Sequence, residues 1–153
     1  MQSTSEGRSS TEMDNGYFDG ACEPVNPHGA MGWGWTLDRA DGTHTEGYDG
    51  APAARGNTNN IAEYRAALAL LLAYAEGGGR GPLRVYGDSM LVVRQVTDEW
   101  ACNAAQLQAL RERVWEVMAS IPGGVSFQHV PREQNAAADA LSVAALRSLG
   151  VRR

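Results

Sequence analysis

The feature that most constrains this chain is a set of four carboxylates, each at the edge of a separate apolar segment. Asp19 follows Tyr17-Phe18, Glu63 follows Asn59-Asn60-Ile61-Ala62, Asp88 follows Val85-Tyr86-Gly87, and Asp139 closes Asn135-Ala136-Ala137-Ala138-Asp139. Tyr17 to Cys22 predicts a short strand with Asp19 at its tip, the chain turning away at Gly20. Carboxylates gathered in one place repel one another and resist ionisation unless a cation neutralises them. Oxygen donors with no His-Cys pattern around them favour a hard ion, Mg²⁺ or Mn²⁺, over zinc.

The periodicities order the chain as three strands, a helix, a strand, two helices, a strand and a helix. After the Asp19 strand, Ala30 to Leu37 and Thr43 to Tyr48 form a hairpin around Asp41-Gly42. Asp49 to Thr58 reads as a loop. Asn60 to about Glu76 is a helix that is apolar almost all round, and so buried, with Asn60-x-x-Glu63 as its capping box. Leu83 to Tyr86 is a strand, and a helix starts at Asp88-Ser89. Ala105 to Ala119 is a helix, Val125 to Val130 the last strand, and Asn135 to about Leu149 the closing helix. An antiparallel meander followed by strands alternating with helices predicts an α/β fold: one mixed sheet with helices on both faces. The glycine cluster from Gly77 to Gly81 follows a helix and precedes a strand, the reverse of the order a phosphate-binding loop needs.

At 153 residues the chain suffices for one domain with a single core. Residues 1–13 are polar and predict a disordered leader, 14–150 the domain, and 151–153 a tail. No apolar run reaches the ~18 to 20 residues of a membrane span, and no signal-peptide core is present, so the expected compartment is the cytoplasm. Cys22 and Cys102 match no zinc spacing and read as free thiols. The net charge of -5 argues against a broadly basic nucleic-acid binder. That objection weakens where clustered carboxylates inflate the count and bound metal reverses the local sign.

Singly, each carboxylate has an ordinary structural explanation: a turn former, a capping residue, a solvated helix position. Their conjunction at element ends, where sites lie in mixed α/β sheets, favours a joint chemical role. The motifs are Tyr17-Phe18-Asp19-Gly20-Ala21-Cys22 with Asn26-Pro27, Thr58-Asn59-Asn60-x-x-Glu63, Gly87-Asp88-Ser89, and Val130-Pro131-Arg132-Glu133-x-Asn135-x-x-Ala138-Asp139. In this form and order they resemble type 1 ribonuclease H over about residues 16–149, closest to the archaeal and plant-like branch that lacks a basic protrusion. The resemblance implies the ribonuclease H-like fold, a five-stranded sheet with three antiparallel strands, then two parallel ones, and the first strand central.

It also implies an endonuclease that cuts the RNA strand of RNA/DNA hybrids, leaving 5′-phosphate and 3′-hydroxyl ends. Asp19 would bridge two Mg²⁺ ions, Asp139 would hold the ion that activates water, and Glu63 with Asp88 would complete the ion at the leaving oxygen. Two cations about 3.5–4 Å apart suit an in-line displacement. Backbone groups at Gly20, Ala21 and Cys22, with Asn59, Asn60 and the Glu63 carboxylate, would read the RNA 2′-hydroxyl. Asn26 belongs to the same substrate-binding set, and Thr58 would touch a DNA phosphate. Arg132 is preferred to His129 as the assisting group. By strand alternation His129 shares a face with Val125 and Phe127, and a packed histidine shuttles protons poorly, whereas arginine stabilises phosphate charge. His28 and His44 read as surface residues.

Two departures from the family pattern stand out. Met90 replaces a polar contact residue, and Val96 to Gly123 carries only Arg111 and Arg113 against Asp98, Glu99, Glu112 and Glu116. Ordinary burial favours Trp100 as a core residue over a contact, with Asn103, to the DNA strand. The expected partner is the hybrid alone, bound by a monomer with no membrane and no obligate protein partner. A nuclease for other duplexes, a non-catalytic hybrid-binding module and a tethered polymerase-like domain are the rivals.

Overall fold

The computed structural model describes residues 12–151. Only residues 12 and 13 of the expected leader, and residue 151 of the tail, fall among them. The meander runs through β1 (Asp14–Glu23), β2 (Ala30–Asp38) and β3 (His44–Ala51), all antiparallel. The Asp41-Gly42 hairpin forms as the sequence predicts: the Asp41 carboxylate accepts from the Thr43 amide, and Gly42 takes φ +92°. β4 (Leu83–Gly87) lies parallel to β1, and β5 (Val125–His129) parallel to β4. The sheet order β3-β2-β1-β4-β5 puts β1 at the centre.

Helix α1 (Asn59–Glu76) is apolar nearly all round because it lies between the sheet and another helix. Tyr64, Leu70, Leu71 and Tyr74 of α1 are fully buried in one core with Phe18, Val85 and Phe127 of the sheet. Val92 of α2 (Met90–Val96) and Val114 of α3 (Ala105–Ala119) complete that core. α4 (Ala136–Ser148) covers the opposite face. The glycines of β2 admit it: a β-carbon on Gly34 would lie 2.5 Å from Leu141 Cβ and 2.9 Å from the Ser142 nitrogen. Helices therefore flank both faces, as expected.

The end of the sheet remote from the four carboxylates is pinned by a buried aspartate. Asp14 accepts from the Ala40 amide at 2.8 Å and from the Tyr74 hydroxyl at 2.5 Å, and that hydroxyl accepts from Gly81 N–H at 2.8 Å. A buried carboxylate persists only with such partners.

Four local expectations need correcting. Asp19 is not at the tip of its strand, and no turn follows it, because β1 continues pairing with β2 as far as Glu23↔Ala30. Thr58, not Asn60, caps α1: its hydroxyl oxygen accepts from the Ile61 amide at 3.1 Å, so the Asn60–Glu63 capping box does not form. The loop expected from Asp49 begins only after Ala51, since β3 stays in register with β2 to Met31↔Ala51. Trp100 is 46% exposed rather than core. The tight turn at Asp98, with φ +65°, carries it out beside Arg94, whose carbonyl accepts from the Trp100 amide.

Candidate active site

The two sheet ladders around β1 end at different places, and the offset creates the site. The parallel β1–β4 ladder stops at Phe18↔Gly87, while the antiparallel β1–β2 ladder runs on through Asp19↔Gly34. The next residues of the two strands, Asp19 and Asp88, therefore lie together where β4 leaves the sheet. Gly87 permits this approach: a β-carbon there would sit 2.4 Å from the Phe18 ring. Beyond Asp88, the Ser89 hydroxyl caps α2 by accepting from the Val92 amide at 3.3 Å. Asp88 is thus released from the capping role.

Glu63 arrives from α1. A β-carbon on Gly20 would fall 2.3 Å from the carbonyl carbon of Ala62 and 2.6 Å from the Glu63 nitrogen. Only glycine lets the first turns of α1 rest on β1 here. The Gly20 amide then donates to Glu63 Oε1 at 3.1 Å and to Asp19 Oδ1 at 3.0 Å, tying the two carboxylates to one donor. Gly20→Ala is expected to destabilise the protein by about 2–3 kcal/mol, since backbone and not a flexible side chain blocks the new methyl. Urea unfolding measures this, and a change below about 0.5 kcal/mol would contradict the close approach.

Asp139 comes from the first turn of α4, on the other face, which the missing side chain of Gly34 brings down beside Asp19. Its side chain is hydrogen-bonded to that of Asp19. The buried Asn135, just before α4, completes the frame. Its Nδ2 donates to the Phe18 carbonyl at 2.9 Å and reaches Asp88 Oδ2 at 3.5 Å.

Asp19 and Glu63 are buried, at 6% and 5% exposure. Burial pushes the Asp19 carboxyl up to about 8; the Asp88 charge and the hydrogen bond and charge of Asp139 push the same way, and the Gly20 amide opposes them. Burial, then the charges of Asp19 and Asp88, drives Glu63 well above the usual carboxylate range. Carboxylate oxygens of Asp19, Glu63 and Asp88 all lie within 4.8 Å of one another. Mutually repelling, partly desolvated oxygens at that spacing fit a hard divalent cation, which would relieve both penalties at once.

The four carboxylates open into one pocket of about 260 Å³, also lined by Gly20, Ala21, Asn59 and Arg132. The remaining expected residues surround it. Cys22 is buried, its thiol donating to the Val25 carbonyl at 3.3 Å. Asn26 Oδ1 accepts from the Asn59 amide at 3.0 Å, so it supports a pocket residue. Thr58 and Asn60 open α1 without lining the pocket, and His129 ends β5, half-buried and likewise outside the lining.

Sequence reasoning missed two residues. Asn135, read in the sequence only as the start of the closing helix, makes no side-chain capping bond and instead reaches across to β1. Glu23 lines the same pocket. Its signal is period-two alternation from Asp19, visible only once β1 is known to extend that far.

Residues 17–145 match the family model described as reverse transcriptase-like. The chain is 41% identical over 131 residues to ribonuclease HI of Halobacterium salinarum, covering 85% of this chain and 62% of that relative's length. It is 34% identical over 123 residues to ribonuclease H of Thermosynechococcus vestitus, covering 74% of each. The crystal structure of LC11-RNase H1 in complex with an RNA/DNA hybrid superposes with a TM-score of 0.81 at 26% identity, covering 90% of this chain and 99% of that one. With the mixed sheet, the four converging carboxylates and these similarities in hand, the chain belongs to the type 1 ribonuclease H family.

Proposed function

We propose that this protein hydrolyses the RNA strand of RNA/DNA hybrids by a two-metal mechanism, giving 5′-phosphate and 3′-hydroxyl ends. The observation that carries the reading is the convergence of Asp19, Glu63, Asp88 and Asp139, from both faces of the sheet, in a single pocket with Arg132. A relative of the same fold is seen with an RNA/DNA hybrid bound. In this reading Asp19, Glu63, Asp88 and Asp139 hold two Mg²⁺ ions, for which Mn²⁺ substitutes. Such ions supply Lewis-acid stabilisation of the charge developing on the entering and departing oxygens.

The protein's own groups supply position and selectivity. The shared Gly20 donor fixes Asp19 and Glu63, and the Asn135 amide steadies Asp88. Backbone groups of Gly20, Ala21 and Cys22, with Asn59, Asn60 and Glu63, take the RNA 2′-hydroxyls in the wide minor groove of the duplex. Asn26 holds Asn59 in place. Thr58 Oγ1 accepts from Ile61 within the cap, which leaves its O–H to donate to a DNA phosphate.

Arg132, on the 3₁₀ turn just before α4 (Arg132–Gln134), borders the pocket and stabilises phosphate charge. Arg132→Ala is expected to lower kcat by about 10–100-fold, and His129→Ala by less. The reverse ranking would return the histidine to the mechanism. The reading also takes the protein to be a cytoplasmic monomer; the buried free thiols of Cys22 and Cys102 suit a reducing compartment. Among the described residues no helix is long and apolar enough to cross a membrane.

The substrate is tested with matched strand-labelled duplexes: RNA/DNA hybrid, RNA/RNA and DNA/DNA. Cuts confined to the RNA strand of the hybrid are expected. Equal or faster cutting of double-stranded RNA would reassign the substrate.

A further inference from the structure

His28 stands in a loop, away from the carboxylates, in a conformation that ordinarily calls for glycine. Its φ is +82°, in the left-handed region where a β-carbon is disfavoured. Its bonds account for the strain. The His28 amide donates to the Asn57 carbonyl at 2.8 Å, and Nδ1 of its ring accepts from the Gly56 amide at 3.1 Å. Two further bonds join the same segments: Asn57 Nδ2 donates to the Gly29 carbonyl at 2.9 Å, and the Asn59 amide donates to Asn26 Oδ1 at 3.0 Å. The loop between β1 and β2 is thereby laced to the loop that leads into α1. Of the residues in this lacing, Asn59 is the one that lines the carboxylate pocket.

Left-handed backbone at a non-glycine residue persists where surrounding bonds over-determine it, and it concentrates where position matters. Without the ring, Gly56 loses its acceptor, and the segment carrying Asn57 and Asn59 is held at fewer points. Resting on the hybrid-cleavage reading, we propose that His28 is a positioning residue for substrate binding. Its ring nitrogen clamps the loop before α1 so that Asn59 is presented to the RNA strand. A ring nitrogen that accepts an N–H carries no proton, so the ring proton resides on Nε2.

The test compares wild type with His28→Gly, His28→Ala and His28→Asn, measuring kcat, KM and Tm on one RNA/DNA hybrid with Mg²⁺. Glycine removes the acceptor while easing the backbone, so Tm should hold or rise while KM rises about fivefold to tenfold, the worth of one hydrogen bond. kcat should change little. Asparagine tolerates the left-handed region, and its Oδ1 occupies the place of Nδ1, so KM should return towards wild type. Alanine loses the acceptor and keeps the strain; it should show the raised KM together with a lower Tm.

An unchanged KM in His28→Gly overturns the proposal, as does His28→Asn behaving like His28→Gly. A KM that rises only in variants whose Tm falls makes His28 merely structural and overturns it too. A wild-type protein that cuts no hybrid overturns the functional reading and this inference with it. A wild-type protein that cuts, beside a His28→Gly variant of equal KM, overturns this inference alone.

Discussion

Asp19→Asn is expected to lower hybrid cleavage by about 10³-fold or more while leaving the fold in place. Asp19 interacts with each of the other three carboxylates: it shares the Gly20 donor with Glu63 and feels Asp88 and Asp139. Asparagine keeps the shape and a hydrogen-bonding oxygen, so the Gly20 amide retains an acceptor. What disappears is the negative charge with which Asp19 would help to hold a divalent cation. Single-turnover cleavage with saturating Mg²⁺ measures the loss, and near-normal turnover would move the reaction away from this pocket.

The same substitution should stabilise the metal-free protein, in a direction fixed by the raised Asp19 value. Unfolded, this carboxyl ionises around pH 3.8; folded, it holds its proton up to about pH 8. Below about pH 4 both states are protonated, and Asp19 imposes no penalty. As pH rises from there to about 8, the unfolded state releases its proton and the folded state resists, so stability falls across that window. At about 1.4 kcal/mol per pK unit the upper bound is about 6 kcal/mol. In EDTA, Asp19→Asn should therefore match wild type near pH 4 and exceed its Tm by roughly 5–10 °C at pH 9. Mg²⁺ should close the gap by raising the wild type alone. Thermal melts across pH, with EDTA and with Mg²⁺, decide the matter. A wild type more stable than the variant at pH 9 without metal would contradict the strained cluster.

The four carboxylates are legible in the sequence because each stands at the edge of an apolar segment, within a motif of recognisable form. The purpose of the glycines was not legible: Gly20, read as a turn, is where the α1 backbone rests on β1, and Gly87 is where the Phe18 ring packs. The place of Asp19 within β1 was not legible. It depends on two ladders of unequal length about one strand, a long-range fact that local alternation does not encode. The capping assignment failed for a different reason: Thr58, Asn59 and Asn60 are all competent caps, and the choice among them falls to the loop bonded to Asn26 and His28. Asn135 shows the same limit. A buried amide bonded 117 residues away looks, in sequence, like any asparagine before a helix.

The most direct measurement is cleavage of a hybrid labelled on either strand, by wild type with Mg²⁺, by wild type with EDTA, and by Asp19→Asn with Mg²⁺. RNA-strand cuts in the first reaction alone are the predicted result. Intact hybrid in all three, with Mn²⁺ supplied as well, would contradict the proposed reaction and move the function to a binding module or a different duplex.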